Sequence, residues 1–184
     1  MKITLLSIDE KMTEAWKKYF SVDNVEIVCE EFGKFMGNNH VDCVVSPANS
    51  FGLMDGGYDA AITDWFGEKL QVDVQEYIAE NYLGEQPVGS SFIIETPDKN
   101  VKLIHTPTMR IPEKIIDTAV IYHCMRSCLI TAIQNNVTHI LIPAFGALTG
   151  RVEADDVAKM MWLAYKQIYD AKKEMSWEYA IKTH

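Results

Sequence analysis

The run ILIPA (residues 140–144) limits the folds open to this chain more than any other stretch. Its residues are apolar at successive positions, and successive side chains of a strand point to opposite faces. Both faces of such a strand are apolar, so it belongs in the middle of a sheet covered on both sides. THILIPA (138–144) is read as that strand, and VDCVVS (41–46) has a similar character.

Helical and strand-like segments alternate around these two. KITLLSI (2–8) reads as a strand, and DEKMTEAWKKYF (9–20) as a helix capped by Asp9 with Trp16, Tyr19 and Phe20 on its apolar face. VEIVC (25–29) is a third strand, and GKFMGNN (33–39), with Gly33, Gly37 and two asparagines, reads as a loop. YDAAITDWFG (58–67) and EKLQVDVQEYIAENYLG (68–84) read as helices, each stopped by its glycine. GSSFIIET (89–96) and VKLIHT (101–106) read as a hairpin or close pair. Long helices are expected over 117–136 and 153–174, and the tail SWEYAIKTH (176–184) is expected to add a short strand or drape over the surface. This alternation gives an α/β class, with helices on both faces of a mixed, mainly parallel sheet, and 184 residues suit one domain.

The formal net charge of −9 argues against a nonspecific nucleic-acid binder, which needs a basic face. It leaves room for a small anion, because an array of backbone N–H groups can hold a phosphate on an acidic protein. No apolar run approaches the ~20 residues of a membrane span, and the amino terminus reads as a first strand and not as a signal peptide. Cys29, Cys43, Cys124 and Cys128 form no CxxC pair. They read as reduced, mostly buried thiols of a cytoplasmic protein.

Two loops stand out. SPANSFGLMDGG (46–57) and PAFGALTGR (143–151) each follow an apolar strand and precede a helix. In an open α/β sheet such loops leave from the carboxyl ends of the strands, where ligands bind. Glycines let a ligand approach the backbone, and the helix N-termini aim N–H groups at the same space. Side by side, the loops suit a diphosphate. Neither GxxxxGK[ST] nor GxGxxG occurs, so the common nucleotide signatures are excluded.

The stretch VDCVVSPANSFGLMDGGYDAAI resembles the signature of the macrodomain, an ADP-ribose-binding module. IPAFGALTGRVEADDVAKMMWLAY resembles that family's second phosphate loop and final helix, and GSSFIIETPDKNVKLIHTPTMRIPE the hairpin between them. The resemblance spans most of the chain and implies a three-layer α/β/α sandwich. It matches Asn49 to the second asparagine of an Asn-Ala-Ala-Asn motif, and Asp59, ten positions later, to the acid after the glycine run. In the hydrolytic branch these two positions hold the distal ribose and help activate a water. It further implies ligand contacts from Ala48, Ser50, Gly56 and Gly57, and from Phe145, Gly146, Ala147, Leu148, Thr149, Gly150 and Arg151. Glu30, Glu31 and Phe32 lie where the adenine is recognised. The chain departs from the motif at Ser46 and Pro47, which replace its first asparagine and an alanine, and in the short glycine run after Asp55.

Plainer readings stand beside these. Asp59 suits helix-dipole pairing and Asp55 a turn. His105 reads as a core histidine. Arg110 and Arg151 suit either a phosphate or solvent. Cys124 and Cys128 could meet, but no zinc ligand set completes around them. The function expected is binding of ADP-ribose with hydrolysis of an ADP-ribosyl bond, on protein or in ADP-ribose 1″-phosphate. The alternatives are a non-catalytic ADP-ribose reader and an α/β protein that binds no small ligand. The expected partner is ADP-ribose or an ADP-ribosylated substrate, without cofactor, metal, membrane or nucleic acid.

Overall fold

A computed structural model of the chain describes residues 1–171 and 174–182. In order, the elements are β1 (Lys2–Ser7), α1 (Glu10–Tyr19), β2 (Val25–Cys29), α2 (Phe32–Asn38), β3 (Cys43–Ser46), α3 (Gly57–Phe66) and α4 (Lys69–Tyr82). Then come β4 (Phe92–Glu95), β5 (Lys102–His105), α5 (Ala119–Gln134), β6 (His139–Pro143), α6 (Ala154–Tyr169) and α7 (Trp177–Lys182). The strands form one sheet in the order β2-β1-β6-β3-β5-β4. Every neighbouring pair is parallel except the β4–β5 hairpin. This is the mixed, mainly parallel α/β/α architecture expected from the sequence.

The doubly apolar β6 sits inside the sheet, between β1 and β3, as its sequence requires. Ile140 and Ile142 face one layer with α1, α5 and α6. Leu141 faces the other, with α2, α3 and α4. All three side chains are fully buried, worth roughly 1.5–3 kcal/mol each in transfer terms. In the first layer Trp16 is buried and its indole N–H meets the Met161 sulfur at 3.4 Å. In the second, Leu70, Val74 and Ile78 recur at the four-residue spacing of one α4 face.

Three segments differ from their sequence reading. Residues 33–39 are largely helical, because Phe32, Phe35 and Met36 make a buried stripe that outweighs the turn preference of Gly33 and Gly37. The tail carries the short helix α7, not a strand; Ser176 Oγ accepts the Tyr179 N–H near its start. Residues 183–184 of that reading lie outside the described residues. The last long helix ends at Tyr169, five residues short of the sequence boundary at 174, and residues 172–173 of that span also lie outside the described residues.

Candidate functional site

All five parallel strands end on one edge, and the chain leaves β6 and its neighbour β3 there as the two glycine-containing loops. Pairing between β3 and β5 continues past the strand ends. Thr106 N–H donates to Ser46 O at 2.9 Å, Thr108 N–H to Ala48 O at 3.4 Å, and Ser50 N–H to Met109 O at 3.2 Å. The start of the first loop is thereby pinned to residues 106–110.

Within that loop Asn49 organises its own backbone. Its Oδ1 accepts the N–H groups of Phe51 (3.1 Å) and Leu53 (3.3 Å), and its Nδ2 donates to Leu53 O at 2.9 Å. Gln71 of α4 accepts the Met54 N–H at 2.6 Å, and the Thr63 hydroxyl of α3 donates to Met54 O at 2.9 Å. Beyond this braced section the backbone is bare. The N–H groups of Asp55, Gly56, Gly57 and Tyr58 have no hydrogen-bond partner among the described residues. Gly56 is the N-cap of α3, without a side-chain cap, and a Cβ built on it meets nothing within 4 Å. Gly57 has φ +56°, where a side chain is strained.

Asp59 lies at the start of α3, beneath the loop and only 8 % exposed. The Ser46 hydroxyl, at the end of β3, donates to its Oδ1 at 2.6 Å. Burial pushes the carboxyl up to about 7; the Asp55 charge adds to the rise and the Ser46 hydrogen bond opposes it. Near neutrality this acid therefore exists in both protonation states. The hydroxyls of Ser50 and Tyr58 are also buried and without a hydrogen-bond partner among the described residues.

The second loop is packed where the first is open. Phe145 is fully buried. Gly146 has φ +73°, and a Cβ there would stand 2.7 Å from Ile115 Cδ1. A Cβ on Gly150 would stand 2.5 Å from Gly146 O and 2.6 Å from Ile115 Cδ1. Ile115 N–H donates to Gly150 O at 3.0 Å, locking the segment before α5 onto the loop. Along the loop the N–H groups of Gly146, Leu148, Thr149 and Gly150 have no hydrogen-bond partner among the described residues. Ala147 N–H reaches Ala144 O at 3.4 Å, and Arg151, exposed at φ +53°, donates its N–H to Leu148 O at 3.1 Å. The exposed Leu148 side chain bridges the loops: its Cδ1 lies 4.0 Å from where a Cβ on Gly57 would be.

The Glu30–Phe32 segment lies at the carboxyl end of β2, on the same edge, two strands from β6. Glu30 pairs with Lys34 at 2.6 Å, and the exposed Glu31 is the N-cap of α2. Phe32 belongs to the core, 4 % exposed, with its ring edge-on to Tyr58 at 5.3 Å. Arg110 stands beside the first loop, over the Phe51 ring at 5.0 Å, with its guanidinium on Glu85 at 2.8 and 3.1 Å. His105 is a core residue, with Nδ1 on Gln86 Oε1 at 2.6 Å and burial holding it down to about 3. Among the described residues no cluster of three His, Cys, Asp or Glu could hold a metal. No helix there is long and apolar enough to cross a membrane. A cleft of about 430 Å³ lies at the opposite edge, lined by Asp42, Thr138 and His139 among others. Asp42 is already engaged by the N–H and hydroxyl of Thr138 and the N–H of His139.

The sequence reading brought out Asn49, Asp59 and both loops, but not Ser46 as the partner of Asp59, nor Ile115 as the wall of the second loop. Ser46 ends a strand thirteen residues before Asp59, and Ile115 falls in a stretch with no periodicity, so neither advertises its contact.

A family model described as the Macro domain matches residues 45–161. An uncharacterized protein of Aquifex aeolicus is 30% identical over 121 residues, covering 65% of this chain and 70% of that protein. Among solved structures, a mutant macrodomain of Oceanobacillus iheyensis with ADP-ribose superposes with a TM-score of 0.63 at 20% identity, covering 75% of this chain and 76% of that one. The macrodomain of Mycobacterium tuberculosis DarG superposes with a TM-score of 0.61 at 17% identity, covering 71% and 85%. At these identities the structural likeness concerns the fold.

Proposed function

The chain belongs to the macrodomain family, and from that premise we propose that it binds ADP-ribose, with the diphosphate between the loops at 49–57 and 145–151. One observation carries this reading: two neighbouring loops present N–H groups that have no partner among the described residues, those of Asp55 to Tyr58 and those of Gly146, Leu148, Thr149 and Gly150, on the carboxyl edge of the sheet. Such donors favour an anion even on a protein of net charge −9. The Oceanobacillus relative with bound ADP-ribose supports the choice of ligand. Glu30 and Glu31 are the acceptors available for an adenine amine at the far side of β1.

The chemistry proposed is hydrolysis of an ADP-ribosyl bond, in protein-linked ADP-ribose or ADP-ribose 1″-phosphate. Asp59 takes a proton from a water, the oxygen attacks at the anomeric carbon or adjoining phosphate, and the leaving group departs with the bonding pair. A carboxyl raised to about 7 is matched to that task at neutral pH. A reader without chemistry is the second reading, because both ends of the Asn49 side chain are already bound within its own loop and are not free to orient a ribose.

Calorimetry and a product assay test both parts. Gly56→Val is the variant of choice, since φ −140° accepts any residue and the added side chain fills open space above the loop. ADP-ribose affinity is expected to fall at least tenfold, with thermal stability unchanged; unchanged affinity places the ligand elsewhere. Asp59→Asn is expected to abolish turnover while leaving affinity within about tenfold. Equal rates for it and wild type exclude Asp59 as the base.

A further inference from the structure

We propose that Ser46 is a positioning residue for Asp59: its hydroxyl, donated to Oδ1, fixes the carboxyl beneath the first loop and keeps it in the orientation that accepts a proton. This rests on the hydrolytic reading above. The geometry is direct. Ser46 is fully buried, and its hydroxyl makes the 2.6 Å bond to Asp59. Its backbone is held as well, since Ser46 pairs in register with His105 and its carbonyl accepts the Thr106 N–H at 2.9 Å. The donor is therefore mounted on a strand of the sheet, not on the loop. Asp59 is mounted on α3. One hydrogen bond ties the two together below the ligand edge.

The surroundings make that bond matter. Asp55 in the loop is a like charge that opposes ionisation of Asp59. Tyr58, its neighbour on α3, has a phenol that burial keeps protonated, and its hydroxyl has no hydrogen-bond partner among the described residues. His105, beside Ser46 on β5, is neutral. Among the described residues, the Ser46 hydroxyl and the Asp59 N–H are the groups that stabilise the carboxylate. Without the hydroxyl, the carboxyl keeps its desolvation and its repulsion and loses the donor that offsets them. It also loses the contact that selects one rotamer.

The test uses the full chain as wild type, Ser46→Ala and Ser46→Thr. The Asp59 carboxyl is titrated by carbon NMR, kcat and KM are measured across pH 5–9, and ADP-ribose affinity is measured by calorimetry. In Ser46→Ala the Asp59 midpoint is expected to rise by about one pH unit. The kcat at pH 7 falls about fivefold and recovers toward pH 9, with KM and affinity within about twofold. Ser46→Thr, which keeps the hydroxyl, restores both midpoint and kcat. A midpoint that does not move in Ser46→Ala, or a loss confined to KM, overturns the proposal. If Ser46→Ala does not fold, Ser46→Cys supplies a weaker donor and is expected to give an intermediate midpoint; a wild-type midpoint there overturns the proposal equally. If wild type turns over no ADP-ribosyl substrate, the hydrolytic reading fails by itself, and the NMR titration still decides whether Ser46 controls the carboxyl.

Discussion

Gly56 looks out over open space and a Cβ on Gly57 would meet only the exposed Leu148 Cδ1 at 4.0 Å, whereas Gly146 and Gly150 are shut against Ile115. Both pairs sit in loops after a central strand, and in the sequence they look alike. In the first loop the missing side chains leave backbone donors uncovered at the start of α3. In the second the missing side chains let Ile115 and the Gly146 carbonyl close up, while the N–H groups of Gly146, Leu148, Thr149 and Gly150 have no partner among the described residues. Polar groups divide the same way. Near the first loop lie a buried carboxyl and two buried hydroxyls, Ser50 and Tyr58, that have no hydrogen-bond partner among the described residues. The second is walled by Phe145 and Ile115. A glycine in such a loop can thus serve the ligand or the core, and buried polar groups left without partners belong to the side where chemistry is proposed.

That contrast predicts opposite signs for substitutions on its two sides. The largest effect belongs to Asp59→Asn. A carboxyl raised to about 7 in the folded chain, against about 3.9 unfolded, keeps its proton on folding between those values. The stability it contributes is complete below pH 4, declines as pH rises and is lost by about pH 7. At 1.36 kcal/mol per pH unit the decline totals about 4 kcal/mol. Asn removes the titration and still accepts from Ser46. Urea unfolding at pH 4, 6 and 8 is expected to show the variant overtaking wild type, with a gap of about 2–4 kcal/mol at pH 8. A variant less stable than wild type at pH 8 would mean that the ionised Asp59 is not under strain.

On the other side, Gly150→Ala is expected to destabilise. Its Cβ would meet a backbone oxygen at 2.5 Å, which cannot swing away as a side-chain end can. Overpacking of this kind costs about 3 kcal/mol, or roughly 6–12 °C in Tm for a domain of this size. Gly56→Ala, over open space, is the control and is expected to stay within about 0.5 kcal/mol of wild type. Equal losses at the two positions, read by thermal unfolding, would erase the distinction between the loops.

The layers of the fold were legible because ILIPA admits few environments: apolar on both faces, it had to be covered twice, and the alternating helices supplied the covers. The site was legible only as far as chain order reaches. The family resemblance marked Asn49 and Asp59, but it could not say that the Asn49 amide turns back to its own loop, as short polar side chains do when local N–H groups compete for them. It could not pair Ser46 with Asp59 either, because that contact depends on which face of β3 looks toward α3. Residues 33–39 were obscured for a local reason: two glycines interrupt the stripe of Phe32, Phe35 and Met36. Glycine weakens a helix by only about 1 kcal/mol, and three buried apolar side chains outweigh that.

A smaller loss than at Gly150, and the finest discrimination, comes from Asn49. Asn49→Ala deletes two acceptor contacts and one donor contact within the first loop. At about 0.5–1.5 kcal/mol per bond, partly recovered by water at a loop that is not fully buried, a net loss of about 1–2 kcal/mol is expected. ADP-ribose affinity should fall about tenfold, because the bare donors from Asp55 onward depend on the braced turn before them. Asn49→Asp separates this role from direct contact with a ribose. Aspartate keeps both acceptor bonds, to Phe51 and Leu53, but sets a carboxylate oxygen against Leu53 O where Asn49 donates at 2.9 Å. If the residue shapes the loop, Asp should lose stability and affinity together, as Ala does. If it acts chiefly on the ligand, the added charge beside a diphosphate should make Asp the worse binder while stability stays near wild type. Calorimetry and urea unfolding of the two variants together decide between those outcomes.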